Sequence, residues 1–273
     1  MDVVTIIIGK ESNLSKALER KSRDFICLSA REIILNRDIL IPYRDLDIKI
    51  IFNNFQPSTE LGDIDSYSDY IRRAILSTSI VLDFFSPQKI EKILYTSSSA
   101  VYGNNVLCSE SDVLQPLSFH SSIKIANEKM IETYAKQHGV DYTMARIFNM
   151  YGGDDNFSII SKIIDAYQNR KTLPIVNSGS AIRDFIHIDN VVESYIKILS
   201  IKNIPIINIG TGGGNSVKNI LKFLEENSIN IKTKNIEREE ITLSTSNNNL
   251  LKSKIGIDKF IEVESYLKDK LKL

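Results

Sequence analysis

The chain has no tryptophan, two cysteines, six prolines and three histidines in 273 residues, and its 34 lysines and arginines balance 34 aspartates and glutamates. Each shortage excludes something. Cys27 and Cys108 cannot build a disulfide framework, and neither stands in a metal-ligand spacing, so no metal is expected and the reducing cytoplasm is the expected compartment. Zero net charge without a basic run or stripe speaks against nucleic acid as the main partner. No apolar run approaches the ~18 residues of a membrane span. The N-terminal Met1-Asp-Val-Val-Thr-Ile-Ile-Ile-Gly9 carries an acid at position 2, where a signal peptide would carry positive charge. Neither a membrane nor export is expected.

What is present is an ordinary globular composition, 42% hydrophobic and 25% charged, in a chain long enough to bury a large core. Short apolar runs alternate with helical patterns. Strands are expected at Val3–Ile8, Phe25–Leu28, Ile48–Phe52, Lys92–Thr96 and Tyr142–Phe148. Helices are expected at Leu14–Arg20, Asp65–Phe85 and Ser121–His138. This alternation predicts an α/β fold with a doubly wound parallel sheet over residues 1–153. The stretch from Leu28 to Ile48 is too short for two full βα units, so an abbreviated sheet edge is expected there. Beyond Gly153 the pattern loosens. Helices are expected at Phe157–Gln168, Asn190–Leu199 and Val217–Glu226, with strands at Leu173–Val176 and Pro205–Ile209. Residues 154–273 are expected to form mainly a smaller C-terminal lobe, with some strands returning to the main sheet.

The most informative stretch is Tyr95-Thr-Ser-Ser-Ser-Ala-Val-Tyr-Gly103, followed by Pro116-Leu-Ser-Phe-His-Ser-Ser-Ile-Lys124 and Glu128. His120 and Lys124 are four apart and share one helix face. Ser98 ends a strand four residues before Tyr102. The pattern resembles the active-site strand and helix of the extended short-chain dehydrogenase/reductases that act on nucleotide sugars. The family's helix carries Tyr-x-x-x-Lys. Here the register places His120 at the tyrosine position, and no other tyrosine lies in that segment.

The resemblance implies that Ser98 bonds a sugar oxygen, that Lys124 holds a nicotinamide ribose, and that the residue at position 120 moves a proton. Three readings of His120 stand open. It is a working acid/base, it marks a site that has lost hydride chemistry, or it positions substrate while another group moves the proton. A nearby Lys⁺ should favour neutral imidazole. The family's Asn on the preceding helix is replaced by Ala74 in Ala74-Ile-Leu-Ser-Thr78.

Gly9-Lys-Glu-Ser-Asn-Leu-Ser15 occupies the place of the family's Gly-x-x-Gly-x-x-Gly, where backbone N–H groups meet a pyrophosphate. Gly9 matches; Ser12 and Ser15 replace the other glycines. The competing reading is a plain strand–turn–helix with Ser12 as N-cap. Past the second strand, Leu28-Ser-Ala-Arg31 has no carboxylate for a ribose hydroxyl. Ser29 and Arg31 would suit a 2′-phosphate, which favours NADP(H) over NAD(H) if a dinucleotide binds. Alternatively Ser29 simply caps a helix.

Substrate-side motifs follow. Arg146-Ile-Phe-Asn-Met-Tyr-Gly152 is similar to the family's Arg-x-x-Asn-x-Tyr-Gly turn, with Asn149 against the nucleotide sugar. Arg183-Asp-Phe-Ile-His-Ile-Asp189 and Arg238 stand where the family has two diphosphate arginines, and Asn208-Ile-Gly-Thr-Gly212 resembles its Asn-Ile-Gly turn. For Arg183 the competing reading is a salt bridge, for example with Asp184.

Taken together, the resemblance implies a Rossmann-type domain and a lobe for a nucleotide-diphosphate sugar, with the cleft between them. The expected activity is an NADP(H)-dependent 4-keto-sugar reductase of surface polysaccharide synthesis. A 4-epimerase is the runner-up, and a redox-inactive sugar-binding partner subunit the third possibility. Ser99-Ala100 replaces the Asp-Glu pair of the family's dehydratases, which argues against dehydration. A homodimer through the helices bearing Ile71, Ile75, Leu82, Ile125 and Met130 is a further expectation, with core packing as the alternative account of those side chains.

Overall fold

The computed structural model describes residues 3–22, 24–54 and 67–273. They divide into two compact units, each drawn from three separate stretches of chain. The first comprises Met1–Val101, Pro116–Arg146 and Tyr195–Ile207, and the second Tyr102–Gln115, Ile147–Ser194 and Asn208–Leu273.

The apolar runs read from the sequence become strands. β1 (Val4–Ile8), β2 (Phe25–Leu28), β3 (Ile48–Phe52), β4 (Ile90–Ser98), β5 (Asp141–Ile147) and β10 (Ile206–Ile209) form a six-stranded sheet in the order β10-β5-β4-β3-β1-β2. β1 pairs in parallel with both β2 and β3, setting Ile6 beside Ile26 on one side and Ile50 on the other. β3 and β4 are also parallel. The chain leaves β1 toward β2 and returns across it to β3, so the carboxyl end of β1 is a switch point, where such sheets place their ligands.

The expected abbreviated edge is real. Between β2 and β3 lie a six-residue helix, α2 (Ala30–Leu35), and a 3₁₀ segment, Arg37–Tyr43. Helices α1 (Asn13–Lys21) and α5 (Phe119–His138) match the predicted periodicity. The long helix expected over 65–85 is interrupted. α3 (Tyr67–Ile71) passes through an i→i+5 turn at Arg72–Leu76 before α4 (Ser77–Phe84), and residues 65 and 66 lie outside the described residues. Ser77 and Thr78 return their hydroxyls to the carbonyls of Arg73 and Ala74 at 2.5 and 2.9 Å, in competition with the helix ladder. The core packs Ile6, Ile33, Ile50, Phe52, Val81, Ile93 and Ile131. Leu82 belongs to that core, whereas Ile71 is exposed.

The second unit has its own apolar cluster, with Tyr151, Ile160, Leu173, Phe185, Leu224 and Leu267 at its centre. Around it lie α6 (Ile159–Gln168), α8 (Val217–Glu226), α9 (Val263–Leu271) and three small sheets. Those sheets are β6 (Asn149–Tyr151) with β9 (Phe185–His187), β7 (Leu173–Val176) with β12 (Thr233–Ile236), and β8 (Ile182–Arg183) between β11 (Asn215–Ser216) and β13 (Leu243–Ser244). Helix α7 (Ile188–Ile198) carries the chain from the second unit back into the first. No helix among the described residues is long and apolar enough to cross a membrane, and no described group of His, Cys, Asp and Glu could hold a metal ion.

Candidate active site

The loop after β1 is built on Gly9. Its φ is +117°, and an added Cβ would lie 2.1 Å from the Asn53 carbonyl oxygen, so side chains are excluded on steric grounds as well as by backbone conformation. Ser12 is the N-cap of α1, as its type allows: its hydroxyl accepts the Ser15 N–H at 3.0 Å. Asn53, at the end of β3, donates its amide to both the Ser12 and the Ser15 hydroxyls, the latter at 2.9 Å. The two serines that replace glycines are therefore drawn inward, toward β3 and toward each other. Ser15 is fully buried. That inward pull leaves the tight turn at the helix N-terminus compatible with a dinucleotide diphosphate. Gly9, Ser12 and Ser15 would line its path, and the group when bound would supply a hydride acceptor or donor.

Beyond β2, Ser29 caps α2 by accepting the Glu32 N–H at 3.4 Å, and Arg31 is exposed in the first turn. The capping role weighed for Ser29 is thus present; Arg31 is the remaining group for a phosphate.

Ser98 closes β4, half-buried, and its hydroxyl accepts the Ala100 N–H at 3.2 Å. A capping box from Ser118 and Ser121 starts α5 one residue before His120. This start sets His120 in the first turn and Lys124 one turn later on the same face. Both are buried. Lys124 Nζ donates to the Thr96 carbonyl at 2.6 Å and lies 5.1 Å from the centre of the Tyr95 ring. Burial pulls the Lys124 pKa well below its usual range, against an upward pull from Glu128. Burial, and then the Lys124 charge, lower His120 to about 3. The helix N-terminus opposes imidazolium as well. His120 is thus a neutral ring at physiological pH.

Three groups were not singled out from the sequence. Asn54, after β3, donates to the Ala74 carbonyl at 3.1 Å and to the Ser77 and Thr78 hydroxyls at 2.6 and 2.9 Å. Asn127 donates to the same Ala74 carbonyl at 2.9 Å. The position where the family has an asparagine is thus held by its backbone instead. The third is Tyr70, whose hydroxyl meets His120 Nδ1 at 2.5 Å. Its spacing of four before Ala74 puts it on the same helix face, the one available signal.

In the second unit, Asn149 begins β6 and its side-chain amide donates to the Asp184 carbonyl at 3.1 Å. Arg183 ends β8. It is paired not with Asp184 but with Glu240, Nη2 to Oε2 at 3.1 Å. Asp184 is fully buried and accepts from Thr211, Gly212 and Ser246, so its carboxylate ties the Asn208–Gly212 turn. Burial lowers the Arg183 pKa and Glu240 raises it. The Arg238 side chain is exposed; Asn177 Nδ2 donates to its carbonyl at 2.7 Å and to Glu240 Oε1 at 3.1 Å, which links the two arginine positions. Tyr102 and Asn208, from two separate motifs, share a hydrogen bond of 2.7 Å.

The model of the NAD dependent epimerase/dehydratase family matches residues 12–210. The chain belongs to that family. It is a family of enzymes acting with a nicotinamide dinucleotide on nucleotide sugars. A UDP-glucuronate 4-epimerase from Thermodesulfobacterium geofontis is 30% identical over 162 residues, 57% of this chain and 50% of that protein. A human dTDP-D-glucose 4,6-dehydratase is 30% identical over 155 residues, 55% and 44% of the two chains. The match thus spans about half the length of these relatives. Among solved structures, a UDP-glucose 4-epimerase with UDP-glucose from Thermotoga maritima has a TM-score of 0.86 at 19% identity, covering 99% of this chain and 98% of that one. A UDP-glucuronic acid 4-epimerase from Bacillus cereus, in complex with UDP-glucuronic acid and NAD, has a TM-score of 0.85 at 20% identity and covers 99% of each. At such identities these two neighbours share the fold.

Proposed function

We propose that the protein is a nicotinamide-dependent 4-epimerase of a nucleoside-diphosphate sugar, with Ser98, His120 and Lys124 at the reacting carbon. The observation that carries this reading is the joint placement of Ser98 at the end of β4 and His120 above Lys124 on one face of α5. Ser98 would bond the C4 oxygen, His120 would share its proton, and Lys124 would hold the dinucleotide ribose. Gly9, Ser12 and Ser15 would lie along the dinucleotide phosphates. Asn149, Arg183 and Arg238 would take the nucleotide sugar, the two guanidiniums meeting its diphosphate. The kinship with a UDP-glucuronate 4-epimerase supports a UDP-sugar, and Ser99-Ala100 speaks against dehydration.

A second reading, an NADP(H)-dependent 4-keto-sugar reductase, is favoured by exposed Arg31 and by the lack of a carboxylate in Leu28–Arg31. A homodimer is compatible with exposed Ile71 on α3.

The test follows UDP-glucose, UDP-galactose and UDP-glucuronate by proton NMR with NAD⁺, and a 4-keto nucleotide sugar with NADPH. Interconversion of C4 epimers without net cofactor consumption supports the first reading. Stoichiometric NADPH oxidation with the keto sugar supports the second. Failure of both NADH and NADPH to bind the folded protein would overturn the two together and favour a sugar-binding partner subunit.

A further inference from the structure

Tyr70 comes from a helix fifty residues before His120, yet its hydroxyl sits 2.5 Å from His120 Nδ1. The phenol is 2% exposed. It is held by an aromatic group at the start of α5: Phe119 lies 5.9 Å from the Tyr70 ring centre and 4.5 Å from that of Tyr67, and the Tyr70 and His120 ring centres are 6.0 Å apart. Burial raises the Tyr70 pKa above the usual phenol range, so the phenol keeps its proton and has it to donate in this pair. A neutral imidazole that accepts at Nδ1 carries its hydrogen on Nε2.

We propose that Tyr70 is the positioning residue of this site, fixing His120 as the Nε2–H tautomer and exchanging a proton with the substrate oxygen through the imidazole. The inference rests on the redox reading above for the substrate, but the tautomer does not. When a C4 carbonyl gains hydride from the nicotinamide dinucleotide, its oxygen takes the proton of Nε2. The Nε2–H bond breaks and an O–H bond forms. Nδ1 takes the Tyr70 proton, leaving a phenolate and the Nδ1–H tautomer. The buried phenolate is the disfavoured state, so the pair resets as one proton from water enters at Nε2 and Nδ1 returns its own to Tyr70. This makes the pair a relay for reduction of a 4-keto sugar; oxidation would have to start from the phenolate with the Nδ1–H tautomer. Of the charged and titratable groups, Lys124 on α5 acts on His120 and the Tyr95 phenol on β4 interacts with Tyr70. Glu128, paired with Arg146, acts in turn on Lys124 and Tyr95, and Asp69 and Arg73, close to Tyr70 in the chain, are paired with each other.

The chain has three histidines, so long-range ¹⁵N–¹H correlation spectra of the imidazoles are simple to assign, with His120→Gln identifying the signal. The full-length protein is measured without cofactor or substrate. The expected wild-type spectrum shows His120 as Nε2–H and neutral across about pH 5 to 9, where an unperturbed imidazole would titrate. In Tyr70→Phe the tautomer preference is lost and the His120 pKa rises by about one unit or more, since a hydrogen bond to the neutral form is removed. A wild-type Nδ1–H tautomer, or a Tyr70→Phe spectrum identical to wild type, would overturn the assignment. The wild-type spectrum decides even if the variant does not fold.

Turnover provides the second arm. Tyr70→Phe should lower kcat by about 10²-fold with KM little changed, the scale of a lost proton transfer. It should cost little in a His120→Tyr background, where a phenol already stands on α5. Equal losses in both backgrounds would overturn the relay. If no substrate turns over, the spectra still decide the tautomer, which separates failure of this inference from failure of the redox reading.

Discussion

Arg146 and Glu128 meet in a two-point ion pair, Nε to Oε1 at 3.1 Å and Nη2 to Oε2 at 2.8 Å, with side chains 3% and 5% exposed. Ser97 donates its hydroxyl to the same carboxylate at 2.5 Å. Both ionic partners belong to motifs read from the sequence, and here each serves the other inside the first unit. Arg146→Met should destabilise the protein by about 3–5 kcal/mol, because Glu128 would be left charged in a dry site. The double change Glu128→Leu with Arg146→Met should cost far less. Urea unfolding of the three variants checks this, and additive losses would contradict it.

Gly9→Ala should destabilise by roughly 2 kcal/mol or more and abolish dinucleotide binding, since the new Cβ strikes the Asn53 carbonyl in a backbone conformation that alanine avoids. Thermal unfolding together with NADH and NADPH titration would measure both effects.

Ser12 separates the cap from the glycine it replaces. Ser12→Ala should cost about 1 kcal/mol, and Ser12→Gly only a few tenths. Equal losses in the two would show that the hydroxyl matters through Asn53 rather than through the helix end.

His120 gives a pH dependence of definite sign. Its folded pKa of about 3 lies below the unfolded value near ~6.5, so the unfolded chain binds an extra proton between the two. Stability should fall as pH drops through this window, by up to about 1.4 kcal/mol per unit from this group. His120→Gln should flatten that part of the acid-unfolding curve. An unchanged slope would refute the burial of a neutral ring.

Arg183 is neutralised by Glu240 across 3.1 Å. Glu240→Gln should free the guanidinium and tighten UDP binding about tenfold, and Arg183→Met should weaken it at least as much, as expected for a charge-assisted phosphate contact. Calorimetry with UDP at two salt concentrations would read both changes, and no effect of either substitution would remove Arg183 from the ligand site.

The sequence made the strands legible because buried parallel strands are continuous apolar runs. β2, β3 and β7 match their expected ranges, and β1 matches to a residue. α8 was equally clear, since Val217, Ile220, Leu221 and Leu224 form an apolar stripe at helical spacing. The interruption of the 65–85 helix was not legible. At it Asn54, from the segment after β3, meets the Ala74 carbonyl, and the hydroxyls of Ser77 and Thr78, unremarkable in a helix pattern, bond back to the carbonyls of Arg73 and Ala74. The candidate site divides in the same way. Ser98, His120 and Lys124 lie in one stretch, where the resemblance to the family's active-site strand and helix singles them out. Tyr70 and Asn53 reach the site only through tertiary contacts, which no single-chain pattern encodes. Arg183 was singled out by its motif, but its place on β8 and Glu240 as its partner were not, since the partner arrives with the return of the chain 57 residues later.

The six-stranded sheet ends in β10, separated from its neighbour β5 in sequence by the Ile147–Ser194 stretch of the second unit, and Met144 on β5 donates to the Pro205 carbonyl at 2.8 Å beside it. During synthesis, then, β5 waits as a bare edge while about sixty residues are translated, a few seconds at ribosomal speed. Until Ile206 emerges, that edge is open to any passing strand, including the same strand of a neighbouring nascent chain. The order in which this polypeptide leaves the ribosome therefore gives the half-made molecule an edge, β5, that the finished sheet covers, its own edges being β10 and β2.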